Sequence, residues 1–554
     1  MGLIAQPLLA LGARRGTAGV CWARRLAPTL GDFFFVALLV WLFAAGAFGW
    51  LSLLGDGDTG WHIRTGEYVL DNGRVPTGDP FSFTKSGQTW FAWEWLADVL
   101  FAWLFRLAGF KGVVLTAGVV ICAAAFVVFR AMLWHGANPL AAMLVCLLGV
   151  GASSVHYLAR PHFFTLLLMA VSVWLLARDR RAPTRWVWAL IPATAVWTNL
   201  HGGFVALIAT IGLLIAGSIA EAFLLSQERG ARLGAARRYA VLGTGCAAAS
   251  LLNPFGYHLH VHLVSYLKSD WIRNSIQEFQ SPSFRQENML QFEVLLVAGL
   301  LLAASALRRR QVVEALWVIF WTHAALGSVR HVPVYVVVAA PLIAAELTRW
   351  WEWAAAGRSP RSVLNILRAL GEDSAAGFRR VTVWAAAPVL VLAAINEPVK
   401  WPKNFPEETF PVKVVERHRE ALARARVFTS DQWADYLIFR SYPQQRVFFD
   451  GRSDFYGPEI GQQYMRMAGG HYEWEQLIER YGFDYVLSPV DWALGSLLKR
   501  DSRWRIVEDD GKAILFERVK ARTGPAKGEP QKTASKGLMK TTEAAESTGG
   551  DHRG

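Results

Sequence analysis

Residues 31–62 read GDFFFVALLVWLFAAGAFGWLSLLGDGDTGWH, a long apolar run that ends abruptly in a cluster of aspartate, glycine, tryptophan and histidine. The run over 31–54 is about as long as a helix needs to cross roughly 30 Å of hydrocarbon. Comparable runs recur at 112–131, 162–178 and 331–348. Of the 554 residues 53% are hydrophobic and only 18% charged, less charge than a water-soluble chain of this length carries. Lipid is therefore the solvent for much of the chain, and the sequence predicts a polytopic α-helical membrane protein.

Working outward from that run, Arg14, Arg15, Arg24 and Arg25 precede it and read as a retained cytoplasmic arm over 1–30 rather than a signal peptide. Basic clusters at Arg178–Arg181, Arg229–Arg238, Arg308–Arg310 and Arg349–Arg380 sit in short loops, where they fix orientation. With these loops cytoplasmic, the loops near His201, over 253–289 and near Arg330 lie outside. The alternation holds only if 93–109 is not a span. Glu94 and Asp98 share one helical face there, so the stretch reads as an interfacial helix within an outer loop over 55–111. About eleven spans result, within a transmembrane domain over 31–397: 31–54, 112–131, 138–155, 162–178, 186–200, 203–225, 239–252, 290–307, 312–328, 331–348 and 380–397. An odd number leaves the C-terminal region outside. The expected location is a bacterial inner membrane, with a cytoplasmic N-terminus.

Residues 398–520 change character and read as a small periplasmic α/β domain. Strands are expected at Val427–Thr429, Arg446–Asp450 and Tyr485–Leu487, and helices at Asp431–Arg440, Trp474–Tyr481 and Trp492–Lys499. Two final strands flank Asp509-Asp510-Gly511, a hairpin signal. The tail over 521–554 has almost no apolar residues and reads as disordered. The net charge of +13 lies mainly in topology-setting loops, so no nucleic-acid partner is expected. Cys21, Cys122, Cys146 and Cys246 form no CxxC pair, which argues against a zinc site or a disulfide framework.

The outer ends of the spans collect Asp56, Asp58, His62, Glu94, Arg160, His162, Asn199, His201, Asn253, His258, Arg330 and His331. Ionisable groups near a bilayer are costly, so their gathering on one side points to a shared polar cavity; polar loops without a site are the plain alternative. Asp56-Gly57-Asp58 can share a divalent cation such as magnesium or manganese, or one carboxylate can act as base while the other holds the ion, or the segment is a solvated turn. Glu94 is either a first-turn carboxylate favouring the helix dipole or a second acid over the cavity. Arg160-Pro161-His162 and Arg330-His331 read as interfacial anchors or as a clamp on phosphate oxygens. His201 contacts substrate or makes a structural hydrogen bond, and His62 and Asn253 are further cavity candidates. Asp450-Gly451-Arg452-Ser453-Asp454 is a local ion-pair ladder or an acceptor-binding edge.

With these residues assembled, the chain resembles the integral-membrane GT-C superfamily of glycosyltransferases. The similarity is to the bacterial branch with mannosyltransferase-like and aminoarabinose-transferase-like proteins, and within it to poorly characterised members. The matching features are Asp56 and Asp58 after the first span, the juxtamembrane helix 93–109, the stretches Gly55–His62, Asp79-Pro80-Phe81-Ser82 and Asp431–Gly457, and an extracytoplasmic C-terminal domain. The resemblance implies transfer of a sugar from a polyprenyl-phosphate donor to an envelope glycan, lipid or protein acceptor on the periplasmic face. In that picture Asp56 or Asp58 deprotonates the acceptor, the other aspartate can hold a metal, and Arg160, His162, Arg330 and His331 neutralise the departing phosphate. A polysaccharide polymerase or ligase using a similar donor, a lipid or sugar transporter, and a scaffold are the competing readings. Inverted repeats and midplane charges would mark a transporter.

Overall fold

The computed structural model describes residues 27–45, 49–286, 288–395 and 401–519. Most of the N-terminal arm with Cys21, residues 396 and 397 of the last expected span, and the tail over 521–554 lie outside the described residues. Among the described residues, six helices are long and apolar enough to cross a membrane: Phe110–Trp134, Pro139–His156, His162–Arg181, Phe204–Leu224, Met289–Arg308 and Val329–Ala355. Helices Val363–Phe378 and Val383–Ala394, bent by 88° at their break, make a seventh if they are one span.

The eleven expected spans therefore do not all appear as full crossings. The run over 31–54 is divided into an α-helix at Leu30–Val40, a π turn at Trp41–Ala45 and a 3-10 segment at Gly49–Leu54. The expected 186–200 span is a 3-10 turn at Arg185–Ala189 followed by Leu190–Leu200. Helix Val312–Gly327 has 16 residues, and 239–252 is the apolar half of Arg229–Ala249. Among the described residues of 380–397, Ala387–Ala394 is the α-helix. Hydropathy registers the apolar character of all these segments, but a short helix enclosed by neighbours carries the same composition as one that spans.

Local signals start the helices where the sequence places them. Thr29 and Asp32 form a capping box at Leu30, the Asp32 carboxylate accepting the Thr29 N–H at 2.8 Å. Asn138 caps Pro139–Ser153, with Pro139 at the first helical position. At one end of the bundle the basic loops meet buried acids. Arg180 pairs with Glu221 at 2.8 Å and with Glu314, Arg232 reaches Glu221 at 3.1 Å, and Arg238 pairs with Asp179 at 2.9 Å. Arg309 pairs with Glu346 at 2.8 Å. These contacts tie the loops following three expected outward-to-inward crossings to a common end.

The C-terminal region carries a four-stranded sheet ordered β1-β2-β4-β3, with β1 Val427–Phe428, β2 Tyr485–Pro489, β3 Trp504–Asp509 and β4 Ala513–Arg518. β1 and β2 are parallel, while β3 and β4 form the hairpin that Asp509-Asp510-Gly511 announces. Helices Asp431–Ser441 and Trp474–Tyr481 fall where the sequence puts them. The segment 446–450 is not a strand of this sheet. Val447 instead bridges the outer loop, donating its N–H to Phe81 O and accepting from Phe83 N–H, both at 3.0 Å. Lys85 Nζ adds a bond to Phe455 O at 2.6 Å. Backbone groups that the apolar pattern assigns to the sheet are thus satisfied by the loop after the first run.

The glycines of Gly57-Asp58-Thr59-Gly60 explain how that loop and the C-terminal region meet. Helix Asp58–Asn72 packs against Asp431–Ser441, and Gly57 donates its N–H to Gln432 Oε1 at 2.7 Å. A Cβ on Gly60 would stand 2.8 Å from Phe439 Cβ and 2.9 Å from Asp435 O; one on Gly57 would stand 2.9 Å from Asp435 Cβ. Only glycine permits this approach. Gly60→Val is therefore expected to force the two helices apart at a cost of about 1–3 kcal/mol. A lowered melting temperature checks this, and an unchanged one would contradict the packing.

Candidate active site

Helix Asp58–Asn72, the segment 90–98, the start of His162–Arg181, the corner 201–206, helix Tyr257–Lys268 and the start of Val332–Ala355 enclose one cavity of about 340 Å³. Asp58, His62, Glu94, Arg160, His162, His201, Arg330 and His331 all line it. Asp56 stands behind this wall and Asn253 does not reach it. The Asn253 side chain is spent on its own loop, donating to Ser250 O at 2.9 Å and Gly256 O at 3.1 Å and accepting from Phe255 N–H at 2.8 Å. His258 is exposed.

Arg160 organises the acidic motif. Its Nη1 lies 2.9 Å from Asp56 Oδ2 and its Nη2 lies 2.7 Å from Asp58 Oδ2. Asp56 Oδ1 also accepts the Asp58 N–H at 2.9 Å, so both oxygens of Asp56 are engaged. One guanidinium thus serves two carboxylates. Burial pushes Asp58 up to about 7 even though Arg160 opposes the shift.

Nothing in the sequence singles out Glu278, and it joins the two arginines. Its carboxylate lies 3.6 Å from Arg160 Nη1, 3.5 Å from Arg330 Nη1 and 3.7 Å from His156 Nε2. These are ion-pair separations longer than hydrogen bonds. Burial works to raise Glu278, but Arg330 and Arg160 outweigh it and hold the carboxyl well below its ordinary range. Arg330 also lies over the Phe279 ring at 4.3 Å. A carboxylate seated between two guanidiniums marks a place where an anion is favoured.

Glu94 occupies a different environment. Its oxygens lie 3.8 Å from His62 Nε2 and 3.6 Å from His201 Nε2. Burial pushes the Glu94 carboxyl up to about 8 and pulls His201 down to about 3. His201 Nδ1 is held by Thr165 Oγ1 at 2.8 Å and by the Gly203 N–H at 3.0 Å, which leaves Nε2 facing the cavity. His62 Nδ1 meets Asp98 Oδ1 at 2.6 Å. Burial lowers the imidazole and raises the Asp98 carboxyl, so it works against charge separation at this contact.

The C-terminal region closes the cavity with Gly451, Arg452 and Asp454. Arg452 is buried, forks onto Asp450 at 2.8 and 2.7 Å, reaches Asp79 Oδ1 at 2.9 Å and lies over the Trp90 ring at 4.5 Å. Asp454 pairs with His262 Nε2 at 3.0 Å. The ion-pair ladder therefore exists between Asp450 and Arg452, but it is folded into the cavity wall rather than displayed along a strand. Arg452→Leu leaves Asp450 and Asp79 buried without their cation and is expected to cost about 3–5 kcal/mol. Thermal unfolding of the purified variant measures it, and a loss below about 1 kcal/mol would contradict the buried pairing.

Among the described residues no group of three or more His, Cys, Asp or Glu side chains is arranged to hold a metal ion. Two buried carboxylate oxygens, Asp58 Oδ1 and Asp435 Oδ2, make no hydrogen bond of full geometry, and the Trp61 indole is the donor that stands beside Asp58. Both border the space that a Cβ on Gly451 would fill. Two carboxylates beside water and phosphate oxygens are a donor set that suits magnesium or manganese.

The chain aligns at low sequence identity with three solved structures. The apo oligosaccharyltransferase of Archaeoglobus fulgidus aligns over 83% of this chain and 69% of its own at 15% identity, with a TM-score of 0.47. AglB from Archaeoglobus fulgidus, solved with an inhibitory peptide and a dolichol-phosphate, aligns over 89% and 74% at 14% identity, with a TM-score of 0.48. ArnT from Cupriavidus metallidurans, bound to undecaprenyl phosphate, aligns over 89% and 98% at 15% identity, with a TM-score of 0.46. No family model and no curated protein sequence matches the chain. The likeness is one of fold alone.

Proposed function

We propose that this cavity transfers a sugar from a polyprenyl-phosphate donor to an envelope acceptor on the periplasmic face of a bacterial inner membrane. The observation that carries the reading is the convergence of Arg160 and Arg330 on one anion position, Glu278, beside the separately placed Glu94. Two guanidiniums suit phosphate oxygens, and they supply charge where charge develops as the phosphate leaves. The cavity also has an apolar wall, from Val205, Ala206 and Ala209 to Leu267 and Phe320, suited to the first units of a polyprenyl chain.

In this scheme the acceptor oxygen attacks the anomeric carbon as the bond from that carbon to the phosphate oxygen breaks. The bonding electrons depart with the phosphate, and configuration inverts. The acceptor proton goes to Glu94. Asp56 is locked by Arg160 and the Asp58 N–H, and Asp58 is held on one side by Arg160. Glu94 faces two imidazoles and carries a carboxyl whose pKa is near the working pH, which suits a general base. Asp56 and Asp58 then act by orienting Arg160. A divalent cation, when bound at Asp58 and Asp435, would add positive charge near the departing phosphate.

The test is mass spectrometry of envelope glycans and glycolipids from cells lacking the gene, complemented with wild-type protein or Glu94→Gln. A sugar that disappears, returns with the wild type and stays absent with Glu94→Gln supports transfer. An unchanged profile in the deletion strain overturns it.

A further inference from the structure

Along the sequence, the acidic motif after the first apolar run reads as a self-contained pair, Asp56 with Asp58. The packing gives Asp58 a different counterpart. The oxygen that Arg160 does not use, Asp58 Oδ1, faces the C-terminal region, where helix Asp431–Ser441 presents Asp435. Asp435 is fully buried, its Oδ1 accepts the Gly451 N–H at 3.1 Å, and its Oδ2 has no partner. A Cβ built on Gly451 would lie 2.0 Å from Asp58 Oδ1 and 2.8 Å from Asp435 Oδ2, so both oxygens converge on the side of Gly451 that bears no side chain.

We propose that a divalent cation binds between Asp58 and Asp435, which makes the C-terminal globule part of the reaction centre. The inference rests on and deepens the transferase reading. It adds a ligand from a helix nearly four hundred positions away in sequence, in place of a cation shared by Asp56 and Asp58.

Three observations carry it. First, a buried carboxylate oxygen without a hydrogen-bond donor costs free energy, and two facing each other cost more because like charges repel. Second, five carboxyl groups, those of Asp56, Asp58, Asp431, Asp435 and Asp450, gather here beside two guanidiniums, those of Arg160 and Arg452. Both arginines are already committed, Arg160 to Asp56 and Asp58, Arg452 to Asp450 and Asp79. Third, three glycines let the two carboxylates meet. Gly57 and Gly60 let the two helices touch, and Gly451 lets both oxygens come close to its backbone. A hard cation takes two carboxylate oxygens here and fills its remaining positions with water or with phosphate oxygens from the adjoining cavity.

The experiment uses the full-length protein in nanodiscs, stripped with chelator and titrated with manganese(II), with free metal read by electron paramagnetic resonance. No sugar donor is present, so the result stands apart from whether transfer occurs. One saturable manganese site per chain is expected. Asp58→Asn, Asp435→Asn and Gly451→Ala should each weaken it at least tenfold, while the exposed Asp491→Asn leaves it unchanged. A melting-temperature rise on adding manganese, present in the wild type and absent in Asp435→Asn, shows that the variant is folded yet unable to bind. Absence of saturable binding in the wild type overturns the proposal and leaves a shared proton as the account of the pair. Undiminished binding in folded Asp435→Asn overturns it equally.

Discussion

In a transfer assay with a polyprenyl-phosphate sugar, Arg160→Ala is expected to lower kcat/KM by about 10³-fold or more. The size follows from two roles held by one side chain. Arg160 lies with Arg330 about the anion position at Glu278, so on the proposed reading its loss removes charge stabilisation from the departing phosphate. It also forks between Asp56 and Asp58, so its loss leaves two carboxylates facing the cavity without a cation. An uncompensated carboxylate pair repels an incoming phosphate as well as destabilising the fold. Arg160→Lys keeps the charge but not the fork and is expected to recover only part of the activity. Side-by-side kinetics and melting curves check this. Full activity in folded Arg160→Ala would remove the arginine from the chemistry.

The second large effect is expected at Glu94. Glu94→Gln keeps the shape and removes the proposed proton acceptor, with an expected loss of about 10²–10⁴ in rate. The pH profile adds a signed test. Burial pushes the Glu94 carboxyl up to about 8, so it is protonated below that pH and ionised above it. A base works in its ionised form, and the wild-type rate should rise as pH increases through about 8. In Glu94→Gln that limb should be absent from the residual activity. A wild-type rate that stays flat across this range would assign the proton to another group.

Much of this site is legible in the sequence. The rule that basic loops stay on one side sorts Asp58, His62, Glu94, Arg160, His162, His201, Arg330 and His331 to one end, and they line a single cavity. What stays hidden depends on long-range packing. Glu278 lies in a loop with no motif, and only its spatial place between Arg160 and Arg330 gives it meaning. Asp435 leaves a faint trace, an acid amid the apolar run Ala434–Phe439, but nothing local says that it will face Asp58. Asn253 misleads because its place at the end of an apolar run matches that of the cavity residues, whereas its amide closes its own turn. The glycines around Asp58 look too permissive for a fixed site when read alone. Packed against Asp431–Ser441 they are the condition for the site's assembly.

The most direct measurement of the central claim is native mass spectrometry of the purified protein with undecaprenyl phosphate, comparing the wild type with Arg160→Ala and Arg330→Ala. One lipid phosphate bound per wild-type chain is predicted, weakened at least tenfold in each variant. Equal binding by all three proteins, or none by the wild type, would contradict a phosphate site at the paired arginines.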